Sequence, residues 1–337
     1  MDIYLDFNVY LSILKREVTD LINYEYILSK LHHFHRYRRD IQFPYSPAHM
    51  EEVAVNLKKG DDTKELIENR LKTIEYYSRS YEYLPGLPLR YDIIHQLNQL
   101  PSTSELAKTK QELEMLLNSY DNGKLQEHPA TRKVFEKPLD CFNRVVEDLD
   151  VTDFAHNNDV FHLGRRNKES LENNFKSIQK DCSNIETFEE YQNKYKLGPK
   201  RLSSLEPSKI FEIEAVKEAL NVFLEENHEY SLTTGNILLS SHNLLERTVT
   251  LILNFLEKIG YNQEENNKIV KLRSRMHDVT HAIYGAQADY FVTNDVRFRK
   301  KLKATYNFLN LPCKVLSPEE FIRNSFSEKD LEVIILN

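Results

Sequence analysis

Glycine is scarce in this chain: 8 in 337 residues, roughly a third of ordinary usage, which disfavours a turn-rich β architecture and favours helices. Cysteine is scarcer still. Cys141, Cys182 and Cys313 lie far apart and form neither a disulfide framework nor a paired metal or redox motif, so a reducing cytosol is expected. No apolar run approaches the ~20 residues needed to span a bilayer. The opening Met1-Asp2-Ile3-Tyr4-Leu5-Asp6 is acidic where a signal peptide would be basic. These absences lead us to expect a soluble, cytoplasmic protein with no membrane partner. Positive charge is not in excess either: the net charge is -7, so any case for a nucleic-acid partner rests on local patches.

What is present begins with a globular balance of 40% hydrophobic and 29% charged residues, which excludes global disorder. The length fits two domains, or one domain with a large insertion. Ile3 to Leu5 is a short apolar run ended by Asp6, the pattern of a buried parallel strand that presents its last side chain at its carboxyl edge. Leu21, Ile22, Ile27, Leu28, Leu31 and Phe34 recur at helical intervals after a cap at Thr19 or Asp20. Ile41 to Tyr45 reads as a second strand, weakened by Pro44. Ser46-Pro47 opens the next helix and Gly60 closes it, which sets Glu52 inside a helix that starts at a strand's end.

From 61 to 264 the pattern is mostly helical, clearest over Thr63 to Tyr81, Ser104 to Tyr120, Lys209 to Glu226 and Asn236 to Ile259. Leu84-Pro85-Gly86-Leu87-Pro88, Asp121-Asn122-Gly123, Gly198-Pro199 and Glu206-Pro207 read as breaks between helices. No fixed-period repeat is present, which argues against a solenoid. Asn266 to Ala288 resumes the amphipathic pattern, Tyr290 to Thr293 and Cys313 to Leu316 read as strands, and Ser317-Pro318 repeats the helix-start signal. Strands alternating with helices at both ends predict an α/β fold with a parallel sheet, in which ligand groups gather where the carboxyl ends of the strands face outward.

Four acids from separate segments, Asp6, Glu52, Asp278 and Asp295, are thereby expected in one pocket. Like charges at close range raise one another's pKa, and Mg²⁺ or Mn²⁺ with oxygen ligands relieves that repulsion. Two such ions activate water and stabilise the leaving oxygen of a phosphodiester. Glu52 is preferred over Glu51 because it sits between Met50 and Val53 in helix order, with Glu51 about 100 degrees away and solvated. Asn8, His281, Thr293 and Asn294 stand beside these acids, where they orient carboxylates and water or cap the helices that follow.

Between Glu265 and Lys303 nine Lys/Arg meet four Asp/Glu, a local excess of positive charge. Arg297, Arg299, Lys300 and Lys301 within it are candidates to contact a phosphate backbone, against the plainer role of solvating an exposed helix. A second basic strip sets His32, His33 and His35 beside Arg36, Arg38 and Arg39; a zinc site is conceivable there, and a solvated helix end is the simpler reading.

These residues resemble the PIN-domain nucleases. Tyr4-Leu5-Asp6-Phe7-Asn8 is similar to that family's strand-end Asp with a polar residue two on, and Ser46 through Val53 to its Ser-containing turn leading to a helical Glu. Asp278-Val279-Thr280-His281-Ala282, with Ala286, Ala288 and the run Asp289 to Asp295, resembles its helical Asp, alanine-rich helix and Thr-x-Asp after a strand. Val315 to Phe321 resembles its last strand and helix. The resemblance implies a PIN-like unit built from 1–60 and 265–337, a large all-helical insertion at 61–264, and a Mg²⁺- or Mn²⁺-dependent endoribonuclease acting on single-stranded RNA. It also implies a toxin or phage-defence setting, with the insertion restricting access, binding a partner protein or mediating self-association.

Rival readings are a DNA or structure-specific nuclease on the same site and a catalytically silent helical interaction protein. Two others come from spacing. Arg275 and His281, separated by five residues, formally fit a metal-independent HEPN-type ribonuclease, while a haloacid-dehalogenase-like phosphatase would need an acid where Asn8 stands.

Overall fold

The computed structural model describes residues 1–15, 24–59, 63–86, 93–94, 97–98, 107–121, 131–151, 185–227, 232–263 and 269–324. The expected features at Thr19, Asp20, Leu21, Ile22, Gly60, Leu87, Pro88, Asn122, Gly123 and Cys182 lie outside them. Five strands are present among the described residues: β1 (Ile3–Leu5), β2 (Tyr81–Pro85), β3 (Thr131–Phe135), β4 (Tyr290–Val292) and β5 (Lys314–Leu316). The first four long helices are α1 (Phe7–Lys15), α2 (Tyr24–Tyr37), α3 (Pro47–Lys59) and α4 (Lys64–Ser78). Later helices include Pro138–Val151, Glu214–Glu226, His242–Lys258, Ile269–Gly285, Val296–Phe308 and Pro318–Arg323. The chain is a mixed helix and sheet structure around a small parallel sheet, and no described helix is long and apolar enough to cross a membrane.

That sheet has the order β1-β4-β5, all parallel, and it joins the two ends of the described chain. Its register aligns Leu5, Val292 and Leu316 in one row. The residues that follow, Asp6, Thr293 and Ser317, therefore leave the sheet along a single edge, fastened by Asp6 N–H to the Val292 carbonyl at 2.9 Å and Thr293 N–H to the Leu316 carbonyl at 3.2 Å. Strands this short gain little from their own ladder. They are held by burial, since Ile3, Tyr4, Leu5, Phe291 and Val292 have no exposed surface.

The expected strand at Ile41 to Tyr45 is reduced to two isolated bridges, Gln42 with Asp2 and Tyr45 with Glu82. Pro44 lacks the N–H that a continuous ladder needs. Through Tyr45 this segment links β1 to β2, which pairs antiparallel with β3 from Tyr81–Phe135 to Pro85–Thr131. The stretch 61–264, expected to be wholly helical, thus carries a two-stranded sheet, tied to the start of β1 by Lys133 Nζ at 2.7 Å from Asp2 Oδ2. Its helices largely follow the expected spans. Leucines and aromatics from 191–261 enter the same apolar cluster as Tyr4, Phe291, Phe298 and Tyr306, so this region packs against the sheet that carries the acids.

One close approach shapes that packing. A Cβ added at Gly285 would stand 2.2 Å from Phe291 Cδ2 and 3.3 Å from Tyr4 Cδ1, so the Ile269–Gly285 helix meets the sheet there only because the side chain is missing.

Candidate active site

The carboxyl edge of the sheet positions the first acid. Asp6 is 1% exposed, and its Oδ2 accepts the Thr293 hydroxyl at 2.7 Å; the Phe7 N–H and the exposed Asn8 side chain bond the same carboxyl. Burial pushes Asp6 up to about 6, the Thr293 bond pulls it down, and the charge of Asp295 raises it again. Thr293 Oγ1 also receives the Asp295 N–H at 3.1 Å, which couples the two acids through one side chain. Asp295 itself caps the Val296–Phe308 helix, its Oδ1 accepting Phe298 N–H at 2.8 Å. Asn294 instead donates to Ser12 at 3.1 Å, joining β4 to α1.

Helix α3 brings the next pair. Glu52 is held well above the usual carboxylate range by burial, then by the charges of Asp6, Asp278 and Glu51, with Arg70 acting in the opposite sense. Asp6 thus neighbours Asp295, and Glu52 neighbours both Asp6 and Asp278, so the four acids form a chain of pairs from four segments. Asp278 is partly exposed and lines a shallow depression with Leu253, Asn254 and Lys301. The expectation that Glu51 is solvated needs correction. Glu51 is 1% exposed with its Oε2 3.6 Å from His277 Nδ1, because the Pro138–Val151 and Ile269–Gly285 helices both pack against α3 and cover the face that sequence order leaves open.

Behind the acids runs a buried polar chain. Tyr4 Oη lies 2.6 Å from Ser46 Oγ and 2.8 Å from His281 Nδ1, and His281 Nε2 stands 3.9 Å from Glu52 Oε1. Partners assign the protons of His49. His49 Nε2–H donates to the Leu5 carbonyl at 2.8 Å and its Nδ1 accepts Ser46 N–H at 3.1 Å, so the ring is neutral, its pKa lowered to about 4 by burial. The Tyr4 Oη–His281 Nδ1 contact is compatible with either neutral tautomer of His281, whose Nε2 lies on the side of Glu52 without a hydrogen-bond partner among the described residues. Burial keeps this ring neutral too, reinforced by His49 and His277 nearby. His281 has no exposed surface, and the Arg275 side chain lies outside the described residues, so the metal-free Arg–His reading lacks an accessible histidine.

The basic residues after Asp295 part company. Arg299 donates to the Thr293 carbonyl at 3.1 Å and borders the acids, Arg297 is partly exposed, and Lys300 reaches the Ser203 carbonyl at 3.2 Å. Lys301 is a correction to the expected substrate strip: it is 3% exposed and pairs with Glu257 at 2.9 Å. Phe298, Lys301, Leu302 and Thr305 form the buried stripe of their helix, and Lys301 falls on it by spacing.

Sequence reasoning passed over Arg70, which is 7% exposed with its guanidinium 5.9 Å from the Phe7 ring centre. The signal was there. Ile67, Leu71, Ile74 and Tyr77 mark the buried face of α4, and a charged residue on that stripe needs a reason.

The donor set is all oxygen, four acids of which Asp6 is buried and the others partly exposed, which suits a hard divalent cation. Among the described residues, however, no three His, Cys, Asp or Glu side chains converge closely enough to cage an ion. The set fits such an ion in chemistry, with one or two carboxylates as direct ligands and water completing the shell, the habit of Mg²⁺. No family model, curated protein or solved structure matches the chain.

Proposed function

We propose that this protein is a divalent-metal-dependent nuclease of the PIN type that hydrolyses single-stranded RNA endonucleolytically. The observation that carries this reading is that Asp6, at the carboxyl edge of a parallel sheet, neighbours both Asp295 and the helical Glu52, and Glu52 in turn neighbours Asp278. Bound there, Mg²⁺ or Mn²⁺ would supply charge neutralisation at the phosphate and activation of water. In this proposal one or two of the four acids would hold the ion directly and the others through water. Thr293 fixes the orientation of Asp6, and the His281 ring lies beside Glu52, its Nε2 3.9 Å from Oε1. Arg70 and Arg299 place positive charge beside the acids, which offsets the approach of a phosphodiester to an acidic pocket.

The test is cleavage of matched RNA and DNA by purified protein in Mn²⁺, with and without excess chelator. The expected result is metal-dependent cutting of RNA that Asp6→Asn and Asp278→Asn each abolish while the thermal melt stays cooperative. Faster cutting of DNA would move the substrate class. Full activity in chelator would end the reading.

A further inference from the structure

The histidine- and arginine-rich end of α2 lies against α4 and forms a surface separate from the four acids. We infer that this surface is a binding platform for single-stranded RNA, an inference that rests on the nuclease reading for its choice of RNA.

Tyr37 is 59% exposed and Tyr76 48% exposed. The His35 ring stacks on Tyr76 with centroids 4.4 Å apart and planes at 19°, and the Arg36 guanidinium lies 5.3 Å from the Tyr37 ring centre. The Arg79 guanidinium donates to the His35 carbonyl and ties the two helices together beneath these rings. Large aromatic side chains left open to water, supported from behind and flanked by guanidinium groups, are what unstacked bases and a phosphate backbone require.

Charge selects the occupant. Residues 26–39 contain four Lys/Arg and no Asp or Glu in a chain whose net charge is -7. Two of those cations are committed elsewhere, Lys30 to the carbonyls of Phe321, Ile322 and Asn324, and Arg38 to Asp40 at 2.7 Å. Arg36 is exposed, as is Arg39, and neither has an acidic partner among the described residues. The surface thus offers two partly exposed aromatic rings, Tyr37 with Arg36 and His33 against it and Tyr76 with His35 stacked on it, and two exposed arginines with no acidic partner among the described residues. Helix α4 connects it to the acids, because Arg70 and Tyr76 are six residues apart on one helix, about 9 Å along its axis.

The experiment is fluorescence anisotropy of a labelled unstructured oligouridylate, with matched oligothymidylate and polyglutamate as competitors, on the full chain in excess EDTA. Tyr37→Ala and Tyr76→Ala should each weaken RNA binding about tenfold, while Tyr76→Phe, which keeps the stacking face, should bind as wild type. Arg36→Gln with Arg39→Gln should flatten the slope of log affinity against log salt by about 1.4, at roughly 0.7 per lost phosphate contact. Unchanged affinity in the double tyrosine variant would overturn the inference. So would polyglutamate or oligothymidylate competing more strongly than RNA, which would assign the surface to an acidic protein or to DNA. Cleavage by Asp6→Asn serves as the separate control. Binding that depends on the tyrosines in a protein that never cuts supports the platform against the nuclease reading, and cutting with tyrosine-independent binding does the reverse.

Discussion

Asp6 shows how the burial of a single carboxyl makes stability depend on pH. Its folded-state pKa, about 6, lies above the ordinary 3.8, so the protonated carboxyl favours the folded chain. That contribution is complete below 3.8 and is lost as pH rises through about 6. The loss is on the order of 2–3 kcal/mol at 1.36 kcal/mol per pKa unit. Asp6→Asn stays neutral at every pH and still accepts from Thr293. In chelator, thermal melts should therefore find the variant more stable than wild type at about pH 8 and indistinguishable from it near pH 4. A variant no more stable at the higher pH would show that the carboxylate is not strained by its surroundings. Mn²⁺ should raise the melting temperature of wild type at the higher pH and leave Asp6→Asn unmoved.

Among the elements, the Ile269–Gly285 helix tolerates little change at its end, because Gly285 lies on Phe291 and Tyr4 with no room for a methyl group. Gly285→Ala should destabilise by about 1–3 kcal/mol or more through overpacking, despite the better helix propensity of alanine. Chemical denaturation measures the cost, and combining it with Phe291→Leu should recover part of it. An additive pair would place the strain elsewhere.

The sequence revealed elements whose signals are local. An apolar run closed by a polar residue marked both β1 with Asp6 and β4 with Thr293, and Ser317-Pro318 with Glu320 marked a helix start that forms the full capping box. β2 and β3 were hidden because their pairing spans the interval from 81 to 135, β2 ends on Pro85, and β3 mixes Arg132 and Lys133 with apolar residues. Within the candidate site, Asp6 stood out as the polar end of an apolar strand, and Glu52 as an acid inside the helix that Ser46-Pro47 opens. Glu51 was not, because helix periodicity reports which face is apolar and says nothing of a second helix covering the other. Lys301 was masked by its neighbours, since a run of four basic residues within five positions reads as a surface until the stripe through Phe298 and Leu302 is seen.

Across the whole molecule the Lys301–Glu257 pair ties the terminal α/β part to the helices of the middle region, and both side chains are 4% exposed. Removing one partner leaves a buried charge without its counterion. Lys301→Met should cost about 3–5 kcal/mol, whereas Lys301→Met with Glu257→Leu should recover most of it. RNA binding by the double variant should match wild type in affinity and salt slope. If Lys301→Met proved neutral for stability but weakened RNA binding, Lys301 would return to the substrate surface.

The parallel sheet also has a history in time. Asp6 meets Thr293 across 287 residues of sequence, a closure that costs about 5 kcal/mol in chain entropy and cannot precede the synthesis of the partner. A nascent chain leaving the ribosome amino end first carries Asp6 through the synthesis of the 287 residues that follow it up to Thr293, with no β4 to pair against and no hydroxyl to hold its carboxyl. The Asp6–Thr293 contact forms only after β4 emerges from the exit tunnel. On the nuclease reading, a polypeptide that has not yet reached β4 lacks this contact and Asp295, and is harmless to the message that encodes it.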